Sequence, residues 1–323
     1  MEKIAQSYSD TPFMGAATAR IGITDALLQL ASRYADRHAN ADGLAATPVE
    51  GVVILREAAP SLLQYAISKP LVALVLQGGK RVTMGSHSYD FGAGESLLIT
   101  MDVPTVSQIT IASRAAPYYS LVMELDAAVI ADLAGEMGGQ PARLDQPVRV
   151  DQTESDVSEA ALRLLKLLDR PSSLPVLGKQ MVRELHFWLL CGQHRHAIRA
   201  LGVTDSHTAR IARAISILRA NYTQAVSVER LAYAAGMSLS SFHAHFRSIT
   251  TLTPLQFQKQ LRLLEARRHM LSDGAAISQA AHCVGYESVS QFTREYTRMF
   301  GQPPARSIRE MRLQAQSAMK REG

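Results

Sequence analysis

The carboxy-terminal third of this chain contains an internal repeat. Residues from Leu231 onward match themselves after a shift of about 50 positions. Leu231-Ala-Tyr-Ala-Ala-Gly236-Met-Ser-Leu-Ser-Ser-Phe242-His-Ala-His-Phe246 falls on Ala280-Ala-His-Cys-Val-Gly285-Tyr-Glu-Ser-Val-Ser-Gln-Phe292-Thr-Arg-Glu-Tyr296. Ala232 meets Ala281 and Gly236 meets Gly285. After a one-residue insertion, Phe242 meets Phe292, Phe246 meets Tyr296 and Pro254 meets Pro304. Two copies are too few for a solenoid, so the pattern is a duplicated unit.

Each copy reads as helix, tight turn, helix. In the first, Ser227 caps a short helix over 228–235, whose Val228, Leu231 and Ala235 face inward. Gly236 follows where a chain leaving a helix needs positive φ, which glycine adopts without steric cost. Ser238 caps the second helix, where Phe242, Phe246 and Ile249 recur at helical spacing. In the second copy Gly285 ends the short helix, Ser288 caps the next, and Phe292, Tyr296 and Met299 form the inward stripe. The units span about 228–249 and 276–300.

With the aromatics inside, Ser240, His243, Ala244 and Arg247 share the outward face of the first unit. Ser290, Thr293, Arg294 and Thr297, with Arg298 beside them, share that of the second. Short polar side chains plus arginine suit base edges and phosphates. Arginine bonds guanine bidentately, and hydroxyls donate or accept. A helix-turn-helix puts its second helix in the major groove in this way. Charge points the same way, for residues 1–200 carry a net −3 and residues 201–323 a net +8 within an overall +5. The competing reading is an ordinary helical bundle with solvated faces, which two such units in one basic segment disfavour. Between the copies, Thr253-Pro254 opens a helix to Ser272 with Leu255, Leu261, Leu264 and Leu271 along it. Such a strut spans roughly 27 Å, against about 34 Å for one DNA turn. Ahead of the first copy, a helix over 207–222 offers Ile211, Ile215 and Leu218 for packing.

Residues 208–309 resemble the AraC/XylS family of bacterial transcription regulators. The motifs that carry the resemblance are Leu231-Ala232, Ser238…Phe242…Phe246, Thr253-Pro254-Leu255, Leu261-Arg262…Ala266-Arg267, Val284-Gly285-Tyr286-Glu287-Ser288, Gln291-Phe292-Thr293-Arg294 and Phe300-Gly301-Gln302-Pro303-Pro304. The family implies two helix-turn-helices reading adjacent major grooves. By position it implies base reading by Ser240, His243 and Ala244, and by Val289, Ser290, Thr293 and Arg294. Two departures stand out. Thr250-Thr251 occupies the place of the usual glycine, so the exit of that helix is expected to differ slightly. Ala244 replaces a longer polar residue and offers only an apolar contact.

From about 49 to 125 the chain becomes β-rich: 52–56, 72–77, 81–84, 87–91, 96–100, 107–113 and 118–125 read as strands. Gly78-Gly79, Gly85-Ser86 and Gly92-Ala-Gly94 punctuate them with hairpin chemistry. The fold class is α+β, with a small antiparallel barrel or sandwich followed by an all-α domain. Helical patterns cover 23–39, 127–138, 156–168 and 176–199. This part, with Pro70-Leu-Val-Ala-Leu-Val-Leu-Gln77-Gly and the Asp102-Val-Pro104 turn, resembles the cupin-like AraC-type regulatory domain. The expected division is 1–200 for regulation and dimerisation and 201–323 for DNA binding. The resemblance implies double-stranded DNA, RNA polymerase, an unidentified small effector and a second copy of the chain as partners. No cofactor is expected.

A metal-bearing cupin needs converging histidines and a carboxylate. The strands offer only His87, and His194 and His196 lie two apart on a helix, where a satisfied surface pair is the expectation. No phosphate loop, dinucleotide fingerprint or nucleophile elbow occurs. The expectation is no enzyme and no metal site, and the rival is a cupin-type metal enzyme carrying a DNA-binding module. A constitutive architectural binder is the third reading. Cys191, near His194 and Arg195, is a candidate thiol sensor. Its competing role, and that of Cys283, is small buried packing. Two cysteines 92 residues apart fit a reducing cytoplasm. The longest apolar run, Leu71–Leu76, is six residues, against about 20 for a membrane helix. Met1–Asp10 has no signal-like apolar segment.

Overall fold

The computed structural model describes residues 12–85, 87–138, 147–203 and 206–322, with side chains described between 22 and 313. Met1–Asp10 and Ser86 lie outside the described residues. Helix α1 (Pro12–His38) precedes a β-sandwich. Its strands are β1 (Leu44–Ala46), β2 (Val52–Glu57), β3 (Gln64–Ser68), β4 (Leu71–Gln77), β5 (Gly79–Met84), β6 (His87–Gly92), β7 (Glu95–Ile99), β8 (Val103–Ile111), β9 (Tyr118–Glu124) and β10 (Val148–Gln152). Six pair in the order β1-β2-β9-β4-β7-β10 and four in the order β3-β8-β5-β6. All pairings are antiparallel.

Strand alternation decides what each face buries. Leu55, Ala73, Val75, Leu97, Ile99 and Tyr118 of the larger sheet meet Val82, Phe91 and Ile109 of the smaller one. The intervening Ile54, Val72, Leu74, Leu98 and Leu121 turn outward onto Leu27, Ala31 and Ala35 of α1. They also meet helices α3 (Ser155–Leu168) and α4 (Leu174–Cys191). Helix α2 (Ala127–Met137), capped by the Asp126 carboxylate, lies between β9 and β10 in the chain.

Several sequence expectations are corrected. The helix expected over 176–199 is two, α4 and α5 (Arg195–Gly202). The break is specific: Gly192 becomes extended, and the Gln193 N–H donates to Glu154 Oε1 at 2.7 Å. A Cβ on Gly192 would stand 2.6 Å from the same carboxylate. Asp102-Val-Pro104 is not a turn, because β8 begins at Val103 and runs through Pro104. Strands β1, β3 and β10 are additional. Each is short and lies at a sheet edge, where half-exposed residues blur the alternation.

Helix α6 (His207–Ala220) buries Ile211, Ile215 and Leu218. Next come α7 (Val228–Ala234), α8 (Leu239–Thr250), α9 (Pro254–Ser272), α10 (Ile277–Cys283), α11 (Val289–Phe300) and α12 (Pro304–Glu322). On α9, Thr253 forms a capping box with Gln256. Its buried stripe is Phe257, Leu261, Ala266 and Met270, while Leu255 is exposed. Phe257, not Leu255, packs over the first unit, its ring edge-on to Phe246 at 5.7 Å. One continuous buried cluster joins the sandwich interior to α6, α7 and α8, and a separate one fills the second unit.

Candidate nucleic-acid interface

Both repeats fold as helix, turn, helix on the same backbone plan. The Ser227 hydroxyl accepts from Arg230 N at 3.3 Å at the start of α7, and Ser238 accepts from Ser241 N at the start of α8. Ser288 does the same for α11, accepting from Gln291 N. The turn glycines take φ +61 at Gly236 and +87 at Gly285. Phe242 and Phe246 are fully buried with ring centroids 5.4 Å apart; Phe292 and Tyr296 repeat this at 5.6 Å.

Burying these rings turns the opposite sides of α8 and α11 outward. Ser240, His243, Ala244 and Arg247 are all exposed. On α11, Ser290, Arg294 and Arg298 are exposed, whereas Val289 and Thr293 are half-buried. Thr297 spends its hydroxyl proton on the Thr293 carbonyl at 2.7 Å. Arg247 and Arg294 form no ion pair with any described residue, so both guanidinium groups remain available to a polyanion. Arg298 stands apart: with Glu295 and Met299 it lines a cleft of about 450 Å³ against the sandwich.

The anchoring residues behind α11 were not legible as functional. Glu295 accepts from Lys259 Nζ at 2.9 Å and Tyr286 Oη at 2.7 Å, and from Gln291 Nε2 at 3.4 Å. Burial alone would raise its carboxyl, but these donors outweigh it and hold the group below the ordinary carboxylate value. Arg262 donates to the Tyr222, Gly285 and Thr223 carbonyls, tying α9 to the end of α6 and to the second turn. Only the i, i+4 spacing of Gln291 and Glu295 hinted at this network.

The sites considered elsewhere stand differently from expectation. Cys191 and Cys283 are exposed, which corrects their assignment to buried packing. Burial and the Asp156 and Glu154 carboxylates push the Cys191 thiol up, opposite to an activated thiolate. His194 is buried, with Nε2 3.4 Å from Asp151 Oδ2, and is not half of a surface pair. Among the described residues, no three His, Cys, Asp or Glu side chains gather as a metal would need. No described helix is long and apolar enough to cross a membrane. Inside the sandwich, burial lowers the Lys80 amine to about 8 against the opposing pull of Glu57, and raises the Tyr118 phenol to about 12.

A family model of the AraC-type transcriptional regulator N-terminus matches residues 48–197, and a helix-turn-helix domain matches residues 231–310. The chain belongs to the AraC family of transcription regulators. Similar proteins include the transcriptional activator RhaS of Pectobacterium carotovorum, 32% identical over 87 residues, which covers 27% of this chain and 31% of that one. RhaS of Escherichia fergusonii is 27% identical over 165 residues, covering 51% and 57%. The chain thus spans between about a third and just over half of these relatives. Among solved structures, ToxT from Vibrio cholerae bound to an unsaturated fatty acid has a TM-score of 0.55 at 10% identity, covering 80% of this chain and 93% of that one. An apo ToxT variant gives 0.55 at 9% identity, covering 81% and 98%. This AraC-type chain and ToxT therefore share an overall fold, sandwich and helices together.

Proposed function

We propose that this AraC-type protein is a cytoplasmic, sequence-specific DNA-binding transcription regulator, an activator, and not an enzyme. Residues 1–200 take up a small effector and pair with a second copy; residues 201–323 bind double-stranded DNA and present it to RNA polymerase. The observation that carries the reading is the matched pair of outward faces, Ser240, His243, Ala244 and Arg247 on one helix and Ser290 and Arg294 on the other. Val289 and Thr293 flank the second face, and Arg298 sits at its rim, where it would meet the phosphate backbone rather than a base. The activator assignment follows the RhaS relatives. A small effector is supported by the fatty acid in the ToxT structure and by two polar groups of the sandwich, the half-buried Lys80 and the fully buried Tyr118.

Affinity would come mainly from arginine and lysine contacts to phosphates with counterion release, and selectivity from the two helix faces. DNA selected from a random pool by the full chain, followed by mobility shifts, tests this. Arg294→Ala should weaken the selected site by about 1–3 kcal/mol and relax one position. Equal losses on every sequence would move Arg294 to the backbone. The metal-enzyme rival makes a different forecast: stoichiometric iron, zinc or manganese in the purified protein.

A further inference from the structure

Under the shift of 50 residues, Thr250-Thr251 at the end of α8 corresponds to Phe300-Gly301 at the end of α11. The sandwich touches both helices at these equivalent points. Gly85, just beyond β5, lies so close to Thr251 that an added Cβ would stand 2.7 Å from Thr251 Oγ1 and 3.0 Å from its Cβ. Tyr65, on β3, meets Phe300 edge-on with centroids 4.8 Å apart. The Arg267 guanidinium packs over both of those rings, at 5.4 and 4.6 Å.

The two contact points belong to one rigid surface. Tyr65 pairs with Val106 and Val106 with Thr83, so the row crosses β3, β8 and β5 on the outer face of the four-stranded sheet. Two strand spacings, about 10 Å, separate its ends. Arg219 of α6 fastens the same surface, with Nη2 2.8 Å from Asp102 Oδ1 and 3.0 Å from the Ile67 carbonyl.

Thr251 is the telling residue. It takes φ +62, the one positive value at a non-glycine among the described residues, where Gly301 takes +76. A β-branched residue is disfavoured there. The exit of α8 therefore keeps the shape of its counterpart, and the threonine side chain that makes this unfavourable is the group that contacts Gly85.

We infer that the outer face of the four-stranded sheet clamps both recognition helices at once, with Thr251 and Tyr65 as positioning residues that fix the separation of α8 from α11. They thereby set the spacing between the two halves of the DNA sequence that the protein accepts. This rests on the DNA-binding reading above and adds a spacing function to the regulatory domain.

The test uses the full chain and DNA it selects from a random pool. Affinity is compared between the selected sequence and versions with one base pair inserted or removed between its two halves. The ratio of these affinities is the spacing preference. Gly85→Ala and Thr251→Gly should each lower it by about threefold or more, the lower range for coupled neighbours. The double variant places the new methyl in part of the space that the threonine side chain vacates and should lie closer to the original protein than Gly85→Ala alone. Tyr65→Ala should lower the preference from the other end of the row. Gly94→Ala introduces a side chain at a similar positive φ, +84, with nothing within 4 Å, and should leave the preference unchanged. The clamp is overturned if the Gly85, Thr251 and Tyr65 variants keep the original preference. It is also overturned if the double variant merely adds the single effects, or if Gly94→Ala matches Gly85→Ala. A protein that selects no two-part sequence removes the DNA-binding reading itself, which separates that failure from failure of the clamp.

Discussion

The two helix-turn-helix units share a backbone plan and differ in how each is fastened. The first turn glycine, Gly236, has open space, its nearest neighbour being Arg210 Nη1 at 3.9 Å from an added Cβ. Gly285 is pressed against the end of α6, where the same Cβ would lie 2.0 Å from the Thr223 carbonyl oxygen. Helix α11 is anchored through Glu295, which gathers three side-chain donors. At the corresponding place on α8, His245 stacks on His207 with centroids 4.1 Å apart. Duplication thus preserved the φ pattern and the aromatic ridge, while the fastening chemistry diverged. The second unit is fastened through polar groups of its own strut and the turn after α6, with Phe300 resting on Tyr65 of the sandwich. The first is fastened by the histidine stack on α6 and the apolar cluster it shares with the sandwich.

The largest contrast is expected at the turn glycines. Gly285→Ala combines a left-handed φ with a backbone collision and should destabilise by about 3–5 kcal/mol. Gly236→Ala meets only the left-handed φ and should cost about 1 kcal/mol. Denaturant unfolding of the two variants measures the difference, and equal losses would dissolve the asymmetry.

Glu295→Ala should come next, at about 1–2 kcal/mol, because it strips partners from Tyr286 and from a Lys259 that stays partly solvated. The folded carboxyl lies below its ordinary value of 4.5. Its contribution is therefore complete above that pH and lost as pH falls through the lower folded value. The variant should unfold with a weaker acid dependence in that window.

The smallest effect belongs to the histidine stack. Burial first, and the neighbouring His207 second, lower the His245 imidazole below its ordinary 6.5. The unfolded chain then binds the proton more readily, so stability is full above 6.5 and falls as pH drops below it. His245→Phe keeps an aromatic face and should change stability at neutral pH by less than about 0.5 kcal/mol. Its melting temperature should vary less between pH 7.5 and 5.5 than that of the original chain, and an unchanged slope would count against the stack.

How far the sequence reached follows from the same contrast. The caps at Ser227, Ser238 and Ser288, the glycine turns and the ridge from Phe242 to Tyr296 are local, so their spacing announced them. Helical period alone does not say which side of a solvated strut meets a neighbour, and on α9 Phe257 takes that side while Leu255 stays exposed. The break between α4 and α5 depends on Glu154, nearly 40 residues upstream. Likewise the meaning of Thr251 lies in Gly85, just beyond a strand far away in the chain. The departure at Thr251 was visible, but its partner was not. Partnerships across long sequence separations are what a one-dimensional pattern omits, and the fastening of both units is made of them.

The continuous apolar cluster from Val82 and Ile109 through Phe242 and Phe246 has a further consequence. Heat finds no seam between the sandwich and the first unit, so those parts should melt as one block. The second unit has its own separate filling and should fray earlier or apart. Near its thermal limit the molecule would then keep one helix-turn-helix unit intact, the one whose filling is continuous with the sandwich.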